Sequence, residues 1–183
     1  GVPNKHTFFG YFDVSPFSKD KKMLASCVES SKGKMDLGYF DLKDQKNIFN
    51  KIAETNAWCW QMGARLQWYG LNGDKIIFND SDGEIPCSKI VSLSQKEVLK
   101  QFNFPFYSIN KNCTYSLSIN FSRLEKHRPG YGYVFSGDES PYSLAPKNDG
   151  IFLGNLKTGG RKLILSFSDL SKEKSEKSMI GAS

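Results

Sequence analysis

Three times in succession the chain runs through four short segments rich in β-branched and aromatic residues, each bounded by polar turns. The first pass begins at Val14-Ser15-Pro16-Phe17, turns over residues 18–22, and continues through residues 23–28, 37–42 and 48–52. The second begins at residues 65–69, turns at Asn72-Gly73-Asp74, and continues through 75–78, 89–93 and 98–102. The third begins at 107–109, turns at Asn110-Lys111-Asn112, and returns over 115–119. After a long detour it resumes at 151–156 and 163–167. The third segments close alike, as Asp41-Leu42-Lys43, Ser92-Leu93-Ser94 and Asn155-Leu156-Lys157. Four antiparallel strands recurring every ~40–50 residues mark propeller blades. Aromatic residues make up 14% of the chain, which favours strands, and no segment sustains a helical period. The expected fold is all-β: a β-propeller of about three four-stranded blades over residues 1–170, with repeats near 12–55, 65–106 and 107–170. A β-sandwich, which also strings short strands on polar turns, is the alternative.

Closure is a matter of blade number. A propeller closes with about four to eight blades, so three form an arc with two bare sheet faces. Further blades, or a second copy completing the ring as a homodimer, are the expected protein partners. Residues 4–12 read as a strand arriving from elsewhere, and residues 171–183 as a polar tail or linker without strand pattern.

Net charge narrows the other partners. A surplus of +6 invites nucleic acid. The lysines at 19, 21, 22, 32, 34, 43 and 46 are scattered through turns rather than clustered along a stripe, so nucleic-acid binding is not expected. No apolar run approaches the ~20 residues of a membrane span. Cys27, Cys59, Cys87 and Cys113 lie far apart, with no C-x-x-C pair, so no zinc site and no cofactor are expected. Buried free thiols favour a reducing compartment, and a cytoplasmic location is the expectation. The chain begins at Gly1 rather than Met, which leaves a secreted origin open.

The stretch Ser15-Pro16-Phe17-Ser18-Lys19-Asp20-Lys21-Lys22-Met23-Leu24-Ala25 resembles the S-P-D-G-K-x-[IL]-[AV]-F repeat of TolB-type and oligogalacturonate-lyase-type propellers, departing from it at Phe17-Ser18. A closer resemblance is to a bacterial family of such propellers, often encoded beside surface-polysaccharide and glycosyltransferase genes. It is carried by Phe9-Gly10-Tyr11-Phe12-Asp13, by Trp58-Cys59-Trp60-Gln61-Met62-Gly63 with Arg65-Leu66-Gln67-Trp68, and by Phe78-Asn79-Asp80. Asn120-Phe121-Ser122-Arg123 and Arg128-Pro129-Gly130-Tyr131-Gly132-Tyr133 extend it over nearly the whole chain. The resemblance implies that full-length relatives continue for several more blades. The lyases of this group use a histidine-rich metal site, whereas this chain has only His6 and His127, outside any ligand-spaced cluster. That metal site is either absent here or in sequence beyond this chain.

Two constellations suit chemistry at a propeller mouth, where loops from several blades converge. In the first, Trp58, Trp60 and Gln61 approach Arg65 and Gln67, and all three tryptophans fall within eleven residues. Indole faces beside Arg and Gln donors suit a sugar ring. The bland alternatives are indoles that only fill core, and an Arg65 that pairs with Asp80 or Asp13. The second is the detour over residues 122–148, where Arg123, Arg128, Tyr131 and Tyr133 surround His127. It reads as a glycan- or anion-facing loop, or as a lid that only caps the channel, with residues 137–141 an acidic tip. Asp13, Asp80 and Asp82 are candidate acid or base groups without a demonstrable pair. The run from Asp80 to Glu84 lacks the ligand spacing of a calcium loop and reads as a turn. Binding of a carbohydrate or sugar nucleotide in bacterial surface-polysaccharide metabolism, through Trp58, Trp60, Gln61, Arg65, Asp80, Arg123, Arg128, Tyr131 and Tyr133, is the leading expectation. A non-catalytic scaffold is the second, and a polysaccharide lyase or hydrolase with groups partly outside this chain the third.

Overall fold

The computed structural model describes residues 1–29, 33–133 and 142–174. Three four-stranded antiparallel sheets follow one another along the chain, each with its strands in sequence order. The first contains β1 (His6–Phe8), β2 (Lys22–Val28), β3 (Met35–Asp41) and β4 (Phe49–Thr55). The second contains β5 (Gln67–Trp68), β6 (Lys75–Asp82), β7 (Ile85–Ser92) and β8 (Val98–Phe102). The third contains β9 (Ser108–Ile109), β10 (Tyr115–Ser118), β11 (Gly150–Asn155) and β12 (Arg161–Ser166). These are the expected all-β blades.

The turns between first and second strands meet at one end of the molecule. Lys22 Nζ donates to Gly73 O at 3.3 Å, while Tyr69 Oη and Gly70 N donate to the carbonyl and Sγ of Cys113, each at 3.1 Å. Two apolar layers fill the spaces between sheets. Leu24, Val28, Met35 and Leu37 pack on Leu66, Ile76, Phe78 and Val91. Ile77, Ile90 and Phe102 pack on Phe104, Phe106 and Leu156. A third cluster, at the end away from the turns, joins Ala57, Cys59 and Met62 to Phe121 and Tyr133. We refer to that end, where the segment before β5 meets the segment after β10, as the mouth.

Several local expectations are corrected. The first sheet opens at β1, not at Val14. Residues 6–8 pair with Val28, Cys27 and Ser26, and the chain then leaves the sheet edge and rejoins it only at the Phe17–Met23 bridge. Residues 9–15 therefore form an excursion from that edge. The turn expected over 80–84 is present but shorter: β6 runs through Asp82 and the chain turns back at Gly83 and Glu84, with a φ of +62° at Gly83 that a side chain would strain.

Two short helices interrupt the strands, α1 (Phe121–His127) and α2 (Phe167–Lys174). Both have caps that outweigh strand propensity over so few residues. Asn120 Oδ1 accepts from Arg123 N at 3.0 Å, and β-branched residues are absent from α1. Ser166 Oγ accepts from Asp169 N at 3.0 Å while Asp169 Oδ2 accepts from Ser166 N at 3.3 Å, a capping box. The head of the expected tail, Ser171 to Lys174, is thus helical. Residues 137–141, the expected acidic tip, and 175–183 lie outside the described residues.

Candidate functional site

Arg65 precedes β5 with a left-handed φ of +54° and a side chain only 1% exposed. Its Nη1 and Nη2 donate to Asp13 Oδ1 and Oδ2 at 3.0 and 2.9 Å, and Nε donates to Tyr107 O at 2.7 Å. The guanidinium carbon stands 4.2 Å from the centre of the Tyr107 ring. A buried cation requires such a forked partner and further acceptors to offset its lost hydration. One side chain thereby ties the excursion of the first sheet to β5 and to the approach to β9. Of the two carboxylates considered for Arg65, Asp13 is the partner.

Asp80 belongs to a different network. It accepts from Lys89 Nζ at 2.7 Å and from Thr55 Oγ1 at 2.9 Å. Burial works against the Lys89 ammonium, yet the hydrogen bond and charge of Asp80 hold its pKa above the ordinary lysine value. Its neighbour Asn79, which enters the sequence reading only within the Phe78-Asn79-Asp80 resemblance, is the second tie at the mouth. Asn79 Nδ2 donates to Phe106 O at 2.8 Å while Oδ1 accepts from Phe106 N at 2.9 Å. The same Nδ2 donates to Tyr133 Oη at 3.2 Å, and that hydroxyl donates to Gly63 O at 3.3 Å. Tyr133 is buried, stacked on Phe121 with ring centres 4.4 Å apart, and burial drives its phenol pKa far above the ordinary tyrosine value.

Capping by Asn120 starts α1, which ends in the Arg-Pro-Gly turn. Glu125 Oε2 accepts from both Gly130 N and Gly132 N at 2.9 Å, so a single carboxylate shapes that turn. Gly132 is required there, because a Cβ would overlap Phe121 O and Glu125 N. Arg123 points inward: it is buried, its Nη2 donates to Ser143 O, and its guanidinium lies 5.1 Å from the Phe167 ring centre. Arg128 points outward. It is exposed, it stands 4.0 Å over the Tyr131 ring, and among the described residues its guanidinium enters no ion pair.

The Tyr131 ring meets Tyr11 edge-on at 6.2 Å, and Tyr11 lies 4.5 Å from Phe12, which is 87% exposed. Phe12, Tyr11, Tyr131 and Arg128 thus form a continuous ledge from two anchored loops. The Arg65–Asp13 pair fixes one loop and Glu125 fixes the other. Tyr11 and Phe12 enter the sequence reading only through the family resemblance, although an aromatic pair beside Gly10 is a legible surface signal. Trp58 and Trp60 pack edge-to-face at 5.1 Å, with Trp58 Nε1 donating to Gly33 O at 2.9 Å. Trp60, 43% exposed, also meets His6 and Phe8, each at 5.6 Å, and Gln61 beside it is exposed. Met62, next along the chain, packs in the cluster that holds Tyr11 and Tyr131, whereas Trp58 packs on the core between the first two sheets.

No protein-family model matches the chain, and no curated protein does. Among solved structures it is similar to an oligogalacturonate lyase in complex with manganese, with a TM-score of 0.56 at 16% identity. The likeness covers 90% of this chain and 42% of that one, so the chain spans about two-fifths of the length of the structure it matches. At this identity the likeness establishes the propeller fold and carries no chemistry. Among the described residues no three His, Cys, Asp or Glu side chains are placed to hold a metal ion. Nor is any described helix long and apolar enough to cross a membrane.

Proposed function

We propose that the mouth of this propeller binds a carbohydrate, free or as the sugar of a sugar nucleotide, in bacterial surface-polysaccharide metabolism. The observation that carries the reading is the ledge of Phe12, Tyr11, Tyr131 and Arg128, an aromatic surface ending in an exposed, stacked guanidinium. Apolar C–H faces of a pyranose stack on such rings, while hydroxyls or an acidic substituent take the guanidinium donors. Trp60 and Gln61, exposed on the connection that leads to Met62, are a second surface for the same ligand. Arg65, Asp80, Arg123 and Tyr133 support it from below, with their polar groups engaged inside the protein.

Calorimetric titration of neutral and acidic oligosaccharides and of nucleotide sugars tests the proposal. Phe12→Ala and Arg128→Ala are expected to weaken the bound ligand roughly tenfold each, about the worth of one stacking or charge-assisted contact. A wild-type protein that binds none of these, or binding unchanged in both variants, would sink it in favour of a scaffold.

A further inference from the structure

Lysines that lie scattered along the sequence are gathered by the fold. Each sheet is a meander, so the turn after its first strand and the turn after its third lie at the same end. In every sheet a backbone hydrogen bond joins those turns: Leu42 N donates to Lys21 O at 2.8 Å, Leu93 N to Asp74 O at 2.7 Å and Leu156 N to Thr114 O at 2.9 Å. Neighbouring sheets meet there too, through Lys22 with Gly73 and Tyr69 with Cys113. Residues 18–22, 42–48, 69–74, 93–97, 110–114 and 156–160 thus share one end of the molecule. These six turns carry eight lysines against four acidic residues. The connections between sheets at the opposite end, residues 56–64 and 103–107, carry no Asp, Glu, Lys or Arg.

Pairing sets the turn lysines apart. Lys5, Lys34, Lys51 and Lys89, on or beside the first two sheets, each hold a carboxylate. Seven of the eight turn lysines are exposed, and among the described residues none of the eight enters an ion pair. The carboxylates of Asp41, Asp44 and Asp74 are engaged in shaping the turns, where they accept from the backbone N of Lys43, Lys46 and Ser94. Aliphatic side chains stand out among the lysines: Leu71 is 64% exposed, Ile48 55%, Val98 54% and Leu42 46%.

Unpaired lysines attract any polyanion, and the aliphatic tips decide which. A nucleic acid is read and held by arginine forks and stacking aromatic faces. The six turns contain no arginine, and their one aromatic residue, Tyr69, is tied to Cys113 O. Aliphatic tips ringed by lysine suit a bilayer instead, because the tips reach the boundary between headgroups and acyl chains while the ammonium groups meet anionic headgroups. We infer that the turn end docks this protein on the surface of a membrane containing anionic lipid. The attachment is peripheral, and it leaves the mouth facing away from the lipid. Only turns internal to the three sheets take part, and the inference is independent of what the mouth binds.

Sedimentation of the 183-residue chain with lipid vesicles tests it. Vesicles of phosphatidylcholine with about one-third phosphatidylglycerol are expected to carry the protein down at ~0.1 M salt and to release most of it at ~1 M. Vesicles of phosphatidylcholine alone should leave it in solution. Lys43→Gln combined with Lys46→Gln removes two unpaired charges and is expected to weaken partitioning roughly twentyfold, about fivefold for each. Leu71→Ser withdraws one aliphatic tip and should weaken it ~fivefold. Lys34→Gln changes a lysine already paired with Glu54 and should leave partitioning unaltered. All these side chains are exposed, so each variant is expected to keep the circular dichroism of the wild type. Absence of binding to the anionic vesicles, equal binding to the neutral ones, or a loss in Lys34→Gln as large as in the double variant would overturn the inference. So would binding that Leu71→Ser leaves intact and duplex DNA competes away, which would mark attraction to polyanions in general.

Discussion

The carboxylate of Asp13 and the guanidinium of Arg65 meet through two parallel hydrogen bonds across 52 residues of sequence. Asp13 keeps 31% of its side chain in water, whereas Arg65 keeps 1%. Removing the acid strands a buried cation, and removing both partners does not. Asp13→Ala is expected to cost about 2–3 kcal/mol, somewhat less than a fully buried pair because Asp13 is partly wet. Asp13→Ala combined with Arg65→Met is expected to cost clearly less than the sum of the single changes. Urea denaturation of the four proteins measures the coupling, and strict additivity would show that the pair contributes nothing specific.

Acid stability has a named source on the first sheet. Burial alone would raise the Asp36 carboxyl, but hydrogen bonds from Lys51 and Lys5 outweigh it and hold its pKa below the ordinary aspartate value of 3.8. The folded state thus binds this proton less readily than the unfolded chain. Its stabilisation is fully present above the ordinary value and disappears as pH falls through the lower, folded one. Urea midpoints of the wild type should decline through that acid range, and those of Asp36→Asn should start lower and decline less. Parallel declines would exclude Asp36 as the source.

The turn that presents Arg128 depends on one carboxylate and one glycine. Glu125→Ala removes the acceptor shared by Gly130 N and Gly132 N, and Gly132→Ala drives a methyl into Phe121 O and Glu125 N. Each is expected to cost about 1–3 kcal/mol locally. Hydrogen exchange at the amides of residues 130 and 132 should accelerate in both variants while the β6–β7 amides keep their protection. Unchanged exchange at 130 and 132 would show that the turn holds itself.

Thiol chemistry separates the four free cysteines. Burial pushes the Cys27 and Cys59 thiols up and the Cys87 thiol up to about 11, so all three are shielded and protonated at neutral pH. Cys113 is half-buried at the turn end, where its sulfur accepts from Gly70 N. A disulfide reagent is expected to find one fast thiol in the native protein and four after unfolding. Cys113→Ser should abolish the fast phase.

Blade order, most strand positions and the turns between them were legible because period-two apolar runs and Gly/Asn/Asp/Lys turns are local properties of a chain. The runs at 75–78 and 98–102 coincide with strands for that reason. The opening of the first sheet was misread: Ser15-Pro16-Phe17 has the look of the repeat, yet only Phe17 bridges β2, while His6 to Phe8 hold the edge. Both helices were missed although their caps, Asn120 and Ser166 with Asp169, stood in plain sequence.

The sequence by itself determined that the chain forms meandering sheets, since propensity and alternation act within a few residues. Only the tertiary structure decided how the residues of the mouth are spent. Arg65 pairs with Asp13 rather than Asp80, Arg123 turns inward, and Arg128 turns out beside Tyr11 and Phe12. Those choices depend on which distant carboxylate, carbonyl or ring lies within a few ångströms of each cation, and that is set by how sheets stack, not by neighbours along the chain.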